Sequence, residues 1–207
     1  MRRIRIVVAY DGTNYCGWQI QPNGITIEEI LNRQISKLTG EDIRIIGASR
    51  TDSGVHALGN VAVFDTESRI PGDRFAYALN QKMPEDIVIV RSDEVQIDWH
   101  PRYQNEISKT YEYHIYNAKV RNPLKNRYST FVSFDLDVEK MRQGAKYILG
   151  EHDFASFCNV RTNAKDTVRT VHEITIKEIP MDKFQASNWG QENSNLENEK
   201  EIVIRVT

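Results

Sequence analysis

Residues 47–64, "GASRTDSGVHALGNVAVF", contain a turn signal, Asp52-Ser53-Gly54, between two apolar runs, together with two side chains that a turn does not need, Arg50 and His56. Arg50 and Asp52 stand two residues apart, so on extended backbone they project to the same side and can pair. Gly54 lets the chain bend sharply beside them. An aspartate held against a guanidinium stays ionised and oriented, which a carboxylate nucleophile requires because the protonated acid is unreactive. The competing reading is an ordinary Asp-Gly turn carrying an incidental surface ion pair. Other residues could serve the same chemistry. Lys109, Tyr111 and Tyr113 share one face of a predicted strand on which a base could stack, and "CGWQIQ" sets Trp18, Gln19 and Gln21 in a loop.

The elements that must position these residues are legible as periodicity. "RIRIVVAY" at 3–10 alternates as a strand does, and the turn-rich 11–24 has no period. "TIEEILNRQISKLTG" is a helix with a Thr26/Glu29 capping box, an apolar face of Ile27, Ile30, Leu31, Ile35 and Leu38, and Gly40 as its stop. Strands at 42–48 and 60–66, a helix from Pro71 through Met83 and a strand at 86–92 complete a β-α-β-β-α-β order. That order predicts an α+β fold of the split βαβ (ferredoxin-like, RRM-like) kind: an antiparallel sheet with helices on one face and the other face free to meet a ligand. The second half starts alike, with a strand at 107–116, a helix at 137–149 and strands at 167–179 and 201–207. The expectation is a pseudo-duplicated molecule: a half over 1–100 carrying the Asp52 loop, and an incomplete β-α-β-β half over 101–207 with a mobile hairpin loop at about 181–200.

Composition narrows the function classes. With 207 residues, 40% hydrophobic and 27% charged, the chain is an ordinary globular one. No stretch has the length of an apolar membrane span and the start does not resemble a signal peptide, so a cytoplasmic protein with no membrane partner is expected. Cys16 and Cys158 make neither a disulfide framework nor a zinc quartet and read as reduced thiols. The net charge of −2 conceals an asymmetry. Residues 178–201 carry a net of −4, whereas residues 102–128 carry +4, with five tyrosines interleaved among Arg102, Lys109, Lys119, Arg121, Lys125 and Arg127. Cations among aromatics suit a nucleic acid, since phosphates need positive charge and unstacked bases need flat faces. A solvated strand surface is the plainer alternative.

"YDGTNYCGWQIQPNGITIEEIL", "GASRTDSGVHALGNVAVF", "ALNQKMPEDI", "HPRYQNEISKTYEYHIYN" and "LGEHDFASF" followed by "VRTV" resemble, in order and spacing, the TruA family of tRNA pseudouridine synthases. The likeness covers about residues 4–180 and 201–207, and Arg-Thr-Asp-x-Gly-Val-His-Ala is its most specific part. It implies isomerisation of uridine to pseudouridine in tRNA, typically at positions 38 to 40 of the anticodon stem-loop, on a base turned out of its stack. It makes Asp52 the catalytic aspartate, Arg50 its neighbour, Tyr111 the ring that stacks on uracil and assists proton transfer at C5, and His56 part of the loop wall. Arg102, Lys109, Trp18, Gln19 and Arg169 become substrate contacts. Attack at C1′, attack at C6 and assistance of glycal formation all stay open. The reaction has no redox change and no phosphoryl transfer, so no cofactor and no metal are expected; the partners implied are tRNA and a second copy of the chain in a homodimer.

Ser49, Ser53 and Glu28 depart from the family's usual Gly, Ala and Gln. Family members also continue past "IVIRVT" into a Gly-Asn-x-Phe segment and a helix whose Met-Val-Arg brings a basic residue to the active site, so the expectation for this sequence is weak or absent catalysis. A non-catalytic RNA-binding module of the same fold is the alternative function, and a hydrolase pairing Asp52 with Asp11 is a third reading.

Overall fold

The computed structural model describes residues 1–103, 108–158, 166–180 and 199–207, which fall in two compact units, Met1–Ile107 and Ser108–Thr207. The fold is mixed α and β, with antiparallel sheets and few helices. Among the described residues no helix is long and apolar enough to cross a membrane.

In the first unit, β1 (Arg2–Tyr10) is the centre of a four-stranded sheet ordered β2-β3-β1-β4, with β2 at Ile46–Gly47, β3 at Ala57–Thr66 and β4 at Ile87–Val95, every neighbour antiparallel. Alternation decides the faces: Ile4, Ile6, Val8 and Tyr10 point one way and are at most 5% exposed. Against them pack Ile27, Ile30, Leu31 and Ile35 of α1 (Ile27–Thr39) and Phe75 and Leu79 of α2 (Phe75–Asn80), with Phe64 meeting Phe75 edge to face at 5.3 Å. α1 starts where the Thr26 hydroxyl accepts from the Glu29 amide and stops at Gly40, whose φ of 77° an L side chain rarely adopts. On the opposite face Arg3 grips Asp65 and Arg5 grips Asp93 through paired bonds of 2.6 to 3.0 Å, and the Arg5 guanidinium lies 5.3 Å from the Trp99 ring centre.

In the second unit, β5 (Tyr111–Asn117), β6 (Thr130–Val132), β9 (Ile174–Pro180) and β10 (Lys200–Val206) form a sheet ordered β6-β5-β10-β9, in which β6 runs parallel to β5. Its core is Ile115, Val138 and Ile202. α3 (Val138–Ala145) is capped by the Asp137 side chain, and the buried Asn117 amide ties β5 to the Val132 and Phe134 carbonyls and to the Leu136 amide. β7 (Gly150–Asp153) and β8 (Val168–Val171) make a separate two-stranded ribbon.

Several sequence expectations change. The strand over 42–48 shrinks to two residues, because Ile43 and Ile45 bury their side chains through a non-strand segment that Ser36 and Asn32 hold by their amides. The helix from Pro71 begins as a 3-10 turn, so its α part is only Phe75–Asn80; that at 137–149 ends as α at Ala145 and closes with a 3-10 turn. The run 167–179 is two strands in two different sheets, divided at His172 and Glu173, whose amides both donate to the Thr207 carbonyl. The expected strand at 107–116 starts at Tyr111; Ile107, like 181–198 of the expected loop, lies outside the described residues.

Candidate active site

Asp52 occupies the connection between β2 and β3, at the same end of the first sheet as the loop that follows β1. The bend is built from main chain. Val55 N–H donates to the Asp52 carbonyl at 3.2 Å, Gly54 takes φ 78°, and the Asp52 side chain is left exposed. The loop after β1 braces the bend from below: Trp18 N–H donates to the Thr51 carbonyl at 3.0 Å, and Gly54 N–H and the Ser53 hydroxyl both donate to the Tyr15 carbonyl, at 3.3 and 3.2 Å. Contact between the two loops is close enough that a Cβ on Gly17 would stand 2.5 Å from the Thr51 oxygen, and one on Gly12 would stand 2.1 Å from the Val55 oxygen. Ser49 and Thr51 are held by side chains from below. Asn60 donates to the Ser49 carbonyl at 3.1 Å, and the Tyr10 hydroxyl pairs with that of Thr51 at 2.8 Å. Burial pushes the Tyr10 and Tyr15 hydroxyls above the ordinary tyrosine range, so both stay neutral partners at working pH.

Each residue singled out in the sequence has a definite place. Arg50 and Asp52 are both exposed, and among the described contacts no ion pair joins them: the expected pairing is not made, because this stretch has no strand geometry to turn the two side chains together. His56 is half-buried; the Gly12 amide donates to its Nδ1 at 3.2 Å, which clamps the two loops, and Asp11 Oδ1 lies 3.1 Å away. Asp11 also accepts from the Thr13 amide, which spends it on the turn. Gln19 is exposed beside the bend's support. Trp18 is a correction. It is 1% exposed, its indole packs on Tyr10 and fills the space over Gly47, and so it lies under the loop instead of facing a ligand. Arg102 donates from Nε to the Gly47 carbonyl at 2.7 Å, which holds an exposed guanidinium beside the start of the bend. Reading by periodicity missed Tyr10, Thr51 and Asn60 as supports; Gly47, a glycine inside an apolar strand pattern, was the available sign of a close approach.

In the second unit, Tyr111 and Tyr113 are 62% and 54% exposed on β5, and the Tyr113 hydroxyl pairs with that of Thr130 at 2.7 Å. Lys109 is exposed two residues before Tyr111. Arg169 is exposed on β8, in register with His152. Tyr116, by contrast, is 2% exposed, and burial with the neighbouring Glu199 carboxylate pushes its hydroxyl up to about 12. Glu201, bonded to His114 at 2.8 Å and Lys125 at 3.0 Å, is held below the usual carboxylate range.

Fold and site together describe an α+β protein that presents one carboxylate on a bend pinned from both sides. A family model for tRNA pseudouridine synthase matches residues 6–104 and 145–199. A tRNA pseudouridine synthase A of Acetivibrio thermocellus is 47% identical over 191 residues, 92% of this chain and 78% of the relative. One of Thermoanaerobacter sp. is 45% identical over 86% of this chain and 72% of its own length, and tRNA pseudouridine synthase A 2 of Clostridium perfringens is 48% identical over the same shares. The chain belongs to the tRNA pseudouridine synthase family.

Proposed function

We propose that this chain isomerises uridine to pseudouridine in tRNA, at positions 38 to 40 of the anticodon stem-loop, with Asp52 as the catalytic carboxylate. The N1–C1′ bond breaks and a C5–C1′ bond forms, while the proton leaves C5 and N1 gains one. The observation that carries the reading is the exposed Asp52 carboxylate on a bend whose flanking main chain is hydrogen-bonded to the loop after β1. A carboxylate fixed in that way meets an everted base without first reorganising, so the ordering cost is met during folding. Arg50 adds positive charge beside it, Tyr111 stacks on the uracil, and Gln19, His56, Arg102, Lys109 and Arg169 line the path of the RNA.

The finer architecture belongs to the same proposal. The two halves, 1–100 and 101–207, are copies of one ferredoxin-like plan; the antiparallel order β2-β3-β1-β4 supports it in the first, and the β5-β10-β9 ladder with α3 supports it in the second. The protein works in the cytoplasm as a homodimer. Single-turnover release of tritium from tRNA labelled at uridine C5, with protein in excess, tests the chemistry. The expected result is release that Asp52→Asn lowers by roughly 10³-fold or more while RNA affinity stays within about twofold. Equal release from both proteins would overturn the assignment, and affinity without release from either would leave a binding module.

A further inference from the structure

A cavity of about 350 Å³ opens on the helix side of the first unit, where α1, the loop after β1 and the segment after α2 meet. Its volume lies at the lower end of ligand sites and suits one nucleotide, not a helix. The floor is apolar: the Tyr15 ring, Ile25, Ile30 and Met83. Ile25 is 57% exposed, whereas Tyr15 and Ile30 are 7% and 5% exposed and lie deeper. The rim carries two cations, Arg33 and Lys82. Among the described residues no ion pair engages either of them, and both are exposed, so their charge is open to a ligand at the rim. The acid beside the cavity, Asp86, is already occupied: its Oδ1 accepts from the Tyr15 hydroxyl at 2.5 Å and its Oδ2 from the Asn14 amide at 3.5 Å. An apolar floor with unpaired positive charge at its rim complements an unstacked base joined to a phosphate.

We propose that this cavity is a second nucleotide subsite for the RNA substrate, with the base on the Tyr15, Ile25, Ile30 and Met83 floor and its phosphate on Arg33 and Lys82. The inference rests on the tRNA reading above and adds a contact site to it. Tyr15 links the two places. It lines the cavity, and its carbonyl accepts from Gly54 and Ser53 of the Asp52 bend, so a nucleotide seated here touches the residue that braces the nucleophile.

The test compares the wild-type chain with Arg33→Gln/Lys82→Gln, and with Lys37→Gln as a control on the exposed surface of α1. In tRNA binding across a salt series, the double variant is expected to bind about tenfold more weakly at 0.1 M salt, with a log–log salt slope shallower by about 0.7, as loss of one phosphate contact dictates. The control is expected to match wild type. Titration with uridine 5′-monophosphate is expected to shift the Met83 methyl resonance in wild type and leave it unmoved in the double variant. Unchanged affinity and slope in the double variant, or capture of an acidic decapeptide in place of the nucleotide, would overturn the subsite. Absence of tRNA binding by wild type would instead count against the tRNA reading, while the mononucleotide titration still reports on the cavity.

Discussion

The two units use their apolar residues differently. In Met1–Ile107 eighteen buried residues form one core beneath the Asp52 bend, from Ile4 on the central strand to Ile35 on α1. Among the described residues of Ser108–Thr207 only Ile115, Val138 and Ile202 make such a core, and the large side chains Tyr111, Tyr113 and Tyr147 face outward. The larger core suits the first half to precision. A nucleophile has to be held within a fraction of an ångström, and close-packed interiors with satisfied main chain do that. A surface that follows an RNA has to adapt, and exposed aromatics and cations on strands do that.

Removing core volume should cost each unit the most. Phe64→Ala deletes a ring that is 1% exposed and meets Phe75, and should cost about 3–5 kcal/mol. Ile202→Ala, at 0% exposure, should cost about 2–4 kcal/mol, with the loss at the low end because fewer neighbours pack on it. Amide hydrogen exchange with chemical denaturation measures both; a larger cost at Ile202 than at Phe64 would reverse the ranking of the two cores. Gly17→Ala acts within the first unit, where the two loops touch. At φ 81° and with the Thr51 oxygen 2.5 Å from the new Cβ, it should cost about 1–3 kcal/mol and lower tritium release by more than that stability loss explains, since the strain falls on the bend.

The smallest expected effect is a pH response in the second unit. A hydroxyl raised to about 12 in the folded state, against about 10 in the unfolded chain, contributes stability that is fully present below pH 10 and is lost as pH rises toward 12. Tyr116→Phe should make the fall in stability between pH 10 and 12 shallower, with the remaining slope due to the buried Tyr10 and Tyr15, read by thermal melting at each pH. A slope equal to wild type in that window would mean that Tyr116 ionises as freely as an exposed phenol.

Much of the first unit was readable before any coordinates. The Thr26 cap, the Gly40 stop and the 3.6-residue stripe of α1 are local signals, and local signals survive folding. The second unit yielded less, because period-two alternation records that a strand has a buried face but not which strand it pairs with. The run 167–179 therefore looked continuous although its two halves join different ladders. The site divides in the same way. Asp52, Arg50 and His56 were marked by residue type and spacing, whereas the support that Tyr10 gives with Thr51 and Asn60 joins positions 41 and 50 residues apart in the sequence. Trp18 was misread because an aperiodic segment carries no sign of which of its side chains turns inward.

The packing of Trp18 on Gly47 has an evolutionary reading. A Cβ at position 47 would stand 2.5 Å from the indole Nε1, so position 47 cannot drift alone: any gain of bulk there demands a smaller ring at 18 in the same lineage. The pair behaves as a single inherited character, and sequences that retain the tryptophan while losing the glycine should be ones in which the loop has been rebuilt.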